Sequence, residues 1–141
     1  MVYGIGCDLC SIARMEKSLL GPHGAVFARR VFGPAEQAAL RLPLAEEEGT
    51  ARRTAHTVAS AAADFAAKEA FLKAAGTGLR EPFSLCEIEA VRLPSGAPNY
   101  RFSGKTAEWV AAHHLTAKLS LSHDGGMALA FCTLEQLPPE T

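Results

Sequence analysis

Apolar residues punctuated by glycine open the chain and predict a β-strand. Residues Val2 to Leu9 contain five such apolar or aromatic positions close to the terminus, where a long helix has no room to begin. Asp8 lies at the end of this stretch. We therefore expect a first strand that carries a carboxylate at its end.

Helical spacing of apolar residues then predicts three short helices. Ser11 is placed to cap the first, and Pro34 followed by Glu36 is typical of the start of the third. Pro43 and the acidic run at residues 46–49 predict a loop. The apolar positions of the first two helices are Ile12, Met15, Leu19, Leu20, Phe27, Val31 and Phe32.

An alanine-rich stretch predicts one long helix. Residues Thr50 to Ala75 contain no proline or glycine, and Gly76 follows as a helix stop. Rows of methyl side chains allow neighbouring elements to approach closely, because interaxial distance depends on side-chain size. We expect this helix to lie at the centre of the fold.

Strand periodicity replaces helical periodicity after residue 78. Residues 86–90 alternate between apolar residues and glutamates, which predicts a strand with one solvent-exposed face, and a turn at residues 94–98 leads to a partner strand. After a helix near residues 105–114, Asp124-Gly125-Gly126 predicts a hairpin. The order of elements predicts an α+β fold with a largely antiparallel sheet packed on the long central helix.

Length and charge narrow the class of protein. The chain has 141 residues, which predicts a single domain over residues 1–141, with a tail frayed from about residue 135. The chain has 14 basic and 15 acidic residues and therefore a formal net charge of -1. Because it has no net positive charge to attract phosphate, we expect neither a nucleic-acid binder nor a membrane-surface binder. We also expect no membrane span and no signal peptide, which favours a cytoplasmic protein.

Two acid–lysine pairs occur on the long helix. Glu69 and Lys73 are four residues apart, so both heads lie on one face, and Gly76 and Gly78 follow where a ligand can approach the backbone. The alternative is an exposed ion pair with no catalytic role. Asp64 and Lys68 have the same spacing, and we interpret them as structural.

Two further side chains are candidates for chemistry. Asp8 is either a turn-former or a ligand, and together with Glu69 it would offer two hard oxygens to Mg²⁺. His123 lies at a strand end beside the hairpin, where an exposed imidazole can transfer protons near neutral pH.

Three segments, taken in order, closely resemble one family. Residues 4–8 (GIGCD), 65–78 (FAAKEAFLKAAGTG) and 119–124 (LSLSHD) resemble holo-acyl-carrier-protein synthase, the small type of 4'-phosphopantetheinyl transferase. The resemblance extends over most of the chain and implies the half-size transferase fold. It also implies Mg²⁺-dependent transfer of phosphopantetheine from coenzyme A to a serine of apo acyl carrier protein, a step in fatty acid biosynthesis and lipid metabolism.

The resemblance also assigns roles to residues. Asp8 and Glu69 match Mg²⁺ ligands, Lys73 matches a lysine near the pyrophosphate, His123 matches a histidine at the nucleotide site, and Gly76 and Gly78 fall in the coenzyme-binding segment. Glu69, or a water that it orients, would accept the serine proton, while Lys73 steadies or protonates the leaving phosphate. One position departs from the pattern: the family commonly has arginine where this chain has Asp64. If that arginine normally contacts a phosphate of coenzyme A, the contact is either missing here or supplied by Arg52, Arg53 or His56.

Assembly and partner expectations follow from the same resemblance. The resemblance to half-size members implies a homotrimer with sites between neighbouring subunits. The acidic carrier protein would dock on a basic cluster, although a solvated helix surface is the alternative interpretation. The cluster is Arg14, Lys17, Arg29 and Arg30. Other functions left open are a metal-dependent phosphohydrolase and a non-catalytic oligomeric binding module on the same fold.

Overall fold

The computed structural model describes residues 1–44 and 51–138, with the backbone alone for residues 51–53. The predicted acidic loop at 46–49 and the last three residues therefore lie outside the described residues. The elements follow the α+β order expected from the sequence, with one strand, a run of helices and then strands with one interposed helix. In chain order they are β1 (Val2–Ser11), α1 (Ile12–Leu20), α2 (Gly24–Val31), α3 (Pro34–Leu40), α4 (Ala51–Ala75), a 3-10 helix (Leu85–Glu87), β2 (Ile88–Arg92), β3 (Pro98–Phe102), α5 (Gly104–Ala112), β4 (Leu115–Asp124) and β5 (Met127–Gln136).

The strands are antiparallel and form two sheets. One sheet has the order β1-β5-β4, and the other is the β2–β3 hairpin. The predicted hairpin between β4 and β5 is confirmed, with Gly125 and Gly126 both at positive φ in its turn. Helix α4 packs on the three-stranded sheet, and β2 contacts it from another side. The predicted central helix is thus confirmed.

Glycine in β1 and alanine in α4 bring these two elements into close contact. A Cβ at Gly6 would lie 1.8 Å from the carbonyl oxygen of Ala70, and one at Gly4 would lie 1.9 Å from that of Ala74. Ala70 and Ala74 are themselves buried. Since neither element carries a side chain larger than a methyl group at these positions, β1 lies directly on the helix backbone.

Three local predictions are wrong. Glu89 does not face solvent, because its side chain is buried and its Oε2 accepts a hydrogen bond from the Glu36 amide at 2.9 Å. Leu20 is not part of the buried face of α1, since it lies at the helix end and is exposed. Residues 135 and 136 are not frayed, since they continue β5, where the Gln136 amide donates to the carbonyl of Met1.

None of the helices in the described part of the chain is long and apolar enough to cross a bilayer.

Candidate active site

Three of the predicted site residues meet at the edge of β1. Lys73 Nζ donates to Asp8 Oδ1 at 3.1 Å and to the carbonyl oxygen of Cys7 at 2.9 Å. Asp8 lies on the inner face of β1, two residues beyond the glycine that packs on α4, and Glu69 is one helical turn before Lys73. The close β1–α4 contact therefore places Asp8 beside the ammonium group of Lys73, with Glu69 one helical turn away on α4.

The Asp8 carboxylate affects the pKa of Glu69 in this cluster. Burial raises the pKa of the Glu69 carboxyl, the Asp8 carboxylate raises it further, and Lys73 opposes both effects. Burial and the same two carboxylates also raise the pKa of the Cys10 thiol. Because this cluster contains two carboxylates and one ammonium group, it favours an additional positive charge. The Lys73 side chain is half exposed, so its ammonium group is also accessible to an anion.

The donor set fits Mg²⁺, which commonly takes one or two protein carboxylates and completes its shell with water and substrate oxygens. Asp8 and Glu69 offer such oxygens. Within residues 1–44 and 51–138, no group of three or more histidine, cysteine, aspartate or glutamate side chains is arranged to hold a metal. A protein-only cage of the zinc type is therefore not formed by the described residues.

Gly76 and Gly78 lie just past Lys73 and are exposed. Their φ angles are 84° and 67°, in the left-handed region that favours glycine. The Gly76 amide donates to the carbonyls of Leu72 and Lys73, each at 3.1 Å, so it caps the helix. The helix stop is confirmed, and the open space around both glycines leaves the segment accessible to a ligand.

His123 is not brought to this cluster. It pairs with Ala128, whereas Asp8 pairs with Ala130, and β5 lies between the two strands, which separates their edges by roughly 10 Å. Instead, His123 lines a cavity of about 720 Å³ on the other flank of α4. His56 and Ser60 of α4 also line this cavity.

Asp64 forms part of the wall of the same cavity. Its side chain is buried, and its Oδ1 has no hydrogen-bond partner among the described residues. Arg92 at the end of β2 places its Nη2 3.7 Å from Oδ1, which is too far for a hydrogen bond. Burial, followed by the Glu36 carboxylate, raises the pKa of Asp64 to about 8.

The second acid–lysine pair of the helix is structural, as expected, but with a different partner. Lys68 is fully buried and forms its ion pair with Glu36 of α3 rather than with Asp64. Its ammonium also donates to the carbonyls of Leu85 at 3.0 Å and Ile88 at 2.6 Å. These bonds join α3, α4 and β2 in one buried network.

The basic cluster predicted for docking is exposed on α1 and α2, which contact each other. Ser11 caps α1 by accepting a hydrogen bond from the Arg14 amide at 3.2 Å, as the sequence predicts. Exposed Leu20 and Val26 lie on the same two helices, so apolar surface accompanies the charge. The four basic residues are Arg14, Lys17, Arg29 and Arg30.

Sequence reasoning missed Arg92 and Ser60. Arg92 precedes a turn and has no motif around it, and its position beside Asp64 depends on the packing of β2 against α4. Of the residues proposed to replace the family's arginine, His56 does line the cavity. Arg52 and Arg53 have side chains outside the described part of the chain.

The fold and the cluster agree with a family model. Residues 4–132 match the model described as 4'-phosphopantetheinyl transferase superfamily, and the chain belongs to this superfamily. Among curated relatives, "Holo-[acyl-carrier-protein] synthase" of Methylobacterium radiotolerans is 42% identical, with 98% of this chain and 96% of the relative covered.

Solved structures show the same similarity. The holo-[acyl-carrier-protein] synthase of Neisseria meningitidis superposes with a TM-score of 0.76 at 29% identity, covering 96% of this chain and 100% of that one. The holo-(acyl-carrier-protein) synthase of Bacillus anthracis, solved in complex with CoA (3',5'-ADP), gives a TM-score of 0.72 at 30% identity, covering 97% and 99%. The half-size fold expected from the sequence is confirmed.

Proposed function

We propose that this protein transfers the 4'-phosphopantetheine group of coenzyme A to a serine of apo acyl carrier protein, giving holo acyl carrier protein and adenosine 3',5'-bisphosphate. The observation that carries the proposal is the meeting of Asp8, Glu69 and Lys73 at the edge of β1 in a chain of this superfamily. Relatives named for this activity, and a neighbour solved with coenzyme A, support it.

Asp8 and Glu69 are the residues that would hold Mg²⁺. When bound, this ion supplies positive charge beside a diphosphate and so offsets charge that develops in phosphoryl transfer.

The chain's own residues supply the proton transfers. The serine oxygen attacks the phosphorus next to pantetheine, the bond to the bisphosphate breaks, and the serine proton passes to Glu69 or to a water that it orients. Lys73, free on its exposed side, steadies or protonates the leaving phosphate.

A homotrimer would unite the two flanks of the site. Asp8, Glu69 and Lys73 lie on one flank of α4, whereas His123 lies on the other, across β5. The outer face of the three-stranded sheet carries exposed apolar side chains, Ile5 at 61%, Leu9 at 60% and Phe131 at 42%. Such a patch is typical of a protein–protein interface, and we propose that it packs against another copy.

Sedimentation equilibrium at assay concentration tests the assembly. We expect the trimer mass, and we expect Ile5→Lys, which places charge in the apolar face, to shift the protein toward monomer and lower activity. A wild-type protein that is fully active as a monomer would remove the proposal of shared sites.

The exposed basic cluster on α1 and α2 is proposed as the docking surface for the acidic carrier protein. Reversal of Arg14 and Arg29 to glutamate should raise the apparent KM for the carrier about tenfold and weaken its salt dependence, because both charges contribute to encounter. Lys105→Glu on α5, far from this cluster in sequence, is the matched control. An unchanged KM would dismiss the surface.

We propose further that the reaction takes place in the cytoplasm and serves fatty acid biosynthesis and lipid metabolism, as the resemblance implies.

Mass spectrometry of apo acyl carrier protein incubated with the protein, coenzyme A and Mg²⁺ tests the function. A transferase adds the phosphopantetheine mass to the carrier and releases adenosine 3',5'-bisphosphate in equal amount. Release of the bisphosphate without a carrier would instead indicate a phosphohydrolase. No reaction with any carrier would indicate a binding module.

A further inference from the structure

The cavity on the second flank of α4 combines cationic groups with one buried acid. Arg92, His56 and His123 contribute the basic side chains, and alanine and leucine residues provide apolar walls. This composition suits a phosphate-bearing ligand with an apolar or planar body. Asp64, which is 4% exposed and has an oxygen without a hydrogen-bond partner among the described residues, opposes that use as long as it is ionised.

We propose that Asp64 is a specificity-determining residue of this cavity, which admits the phosphate of a nucleotide beside Arg92 only when Asp64 carries a proton. The inference rests on the proposed function, because the phosphate is attributed to coenzyme A.

The surroundings of Asp64 favour its neutral form. Burial and the nearby Glu36 carboxylate raise its pKa to about 8, although Arg92 and Lys68 lower it. Lys68 is held by Glu36 and by two backbone carbonyls, so its ammonium is committed to the buried network.

Among the residues that the structure describes, Arg92 is the lining group with a permanent positive charge. His56 of α4 and His123 of β4 lie around the cavity and are exposed, and the Arg92 side chain is 43% exposed. With Asp64 neutral, the guanidinium is free to pair with a phosphate. With Asp64 ionised, the Arg92 charge is neutralised and the Asp64 carboxylate repels the anion.

Proton uptake gives the inference a quantitative signature. If the ionised form does not bind, the dissociation constant grows with the fraction of Asp64 that is ionised, which means about a tenfold increase from pH 7 to pH 9. Phosphate titrates mainly below this range, so its own ionisation contributes little to the change.

Isothermal titration calorimetry with adenosine 3',5'-bisphosphate measures this ratio. We expect the wild-type protein to lose about tenfold in affinity from pH 7 to pH 9, and Asp64→Asn to show a ratio near one, since an amide resembles the neutral acid. Adenosine, which lacks phosphate, is the control ligand and should show no such loss. Equal ratios in wild type and Asp64→Asn, or no bisphosphate binding up to millimolar concentration, would overturn the inference.

The wild-type protein provides a second readout that needs no variant. At pH 8.5, binding enthalpies in buffers of different ionisation enthalpy should report uptake of about three quarters of a proton per bisphosphate. Uptake of no proton would overturn the inference. Proton-coupled binding without phosphopantetheine transfer would sustain it while refuting the proposed function, and transfer combined with pH-independent binding would do the reverse.

Discussion

Two acid–lysine pairs on the same helix have opposite environments. Lys68 is fully buried, pairs with Glu36 and donates to two carbonyls. Lys73, five residues later, has a side chain that is 55% exposed, and it bridges Asp8 and the carbonyl of Cys7. In sequence the two pairs look alike, with an acid four residues before each lysine.

One helix can therefore carry structural charges on a buried flank and charges available to a substrate on another flank. Successive residues on a helix are rotated by about 100°, so Lys68 and its neighbour Glu69 face different flanks. A buried charge is tolerated only when its hydrogen bonds are complete, and Lys68 meets that condition. The half-exposed flank has no such requirement, and its charges are therefore available to a substrate.

Replacement of the buried lysine should lower the free energy of unfolding more than replacement of the exposed one. Lys68→Met leaves Glu36 buried without its partner and should lower the free energy of unfolding by about 3 to 5 kcal/mol. Lys73→Met, the matched control, should cost less than about 1 kcal/mol because its ion pair is exposed to solvent. Urea denaturation of both variants checks this, and equal losses would contradict the distinction between the flanks.

A comparable effect in activity alone is expected at Glu69. Glu69→Gln removes both a carboxylate ligand and the proposed proton acceptor, so kcat should fall about 10²- to 10³-fold. The unfolding midpoint should change little, since Glu69 is only half buried. Steady-state transfer assays with Asp8→Asn in parallel measure the loss, and near-normal rates in both variants would dismiss the carboxylate assignment.

A smaller, pH-dependent effect on stability is expected at Asp64. Its pKa is about 8 in the folded protein and about 4 when unfolded, so the folded state binds more protons between these values and its stability falls as the pH rises. Asp64→Asn removes this contribution. The stability of the variant relative to wild type should therefore rise by on the order of 1 kcal/mol per pH unit from pH 5 to pH 7.5. Denaturant titrations at several pH values measure it, and a constant difference would show that Asp64 is ionised throughout.

Elements whose signals are local can be predicted from the amino-acid sequence alone. The alanine-rich helix with its glycine stop, the cap at Ser11 and the Asp124–Gly126 hairpin all depend on residues within a few positions of one another. Glu69 and Lys73 are predictable because their spacing is also local, and Asp8 because it lies at the end of an apolar stretch that predicts a strand.

Contacts between distant segments depend on tertiary packing. The burial of Glu89, the pairing of Lys68 with Glu36 and the position of Arg92 beside Asp64 all depend on where the β2–β3 sheet packs against α4. So does the separation of His123 from Asp8, which follows from β5 lying between their strands. These contacts join residues far apart in the chain. They could not be predicted because the periodicity of a sequence does not indicate which faces pack together.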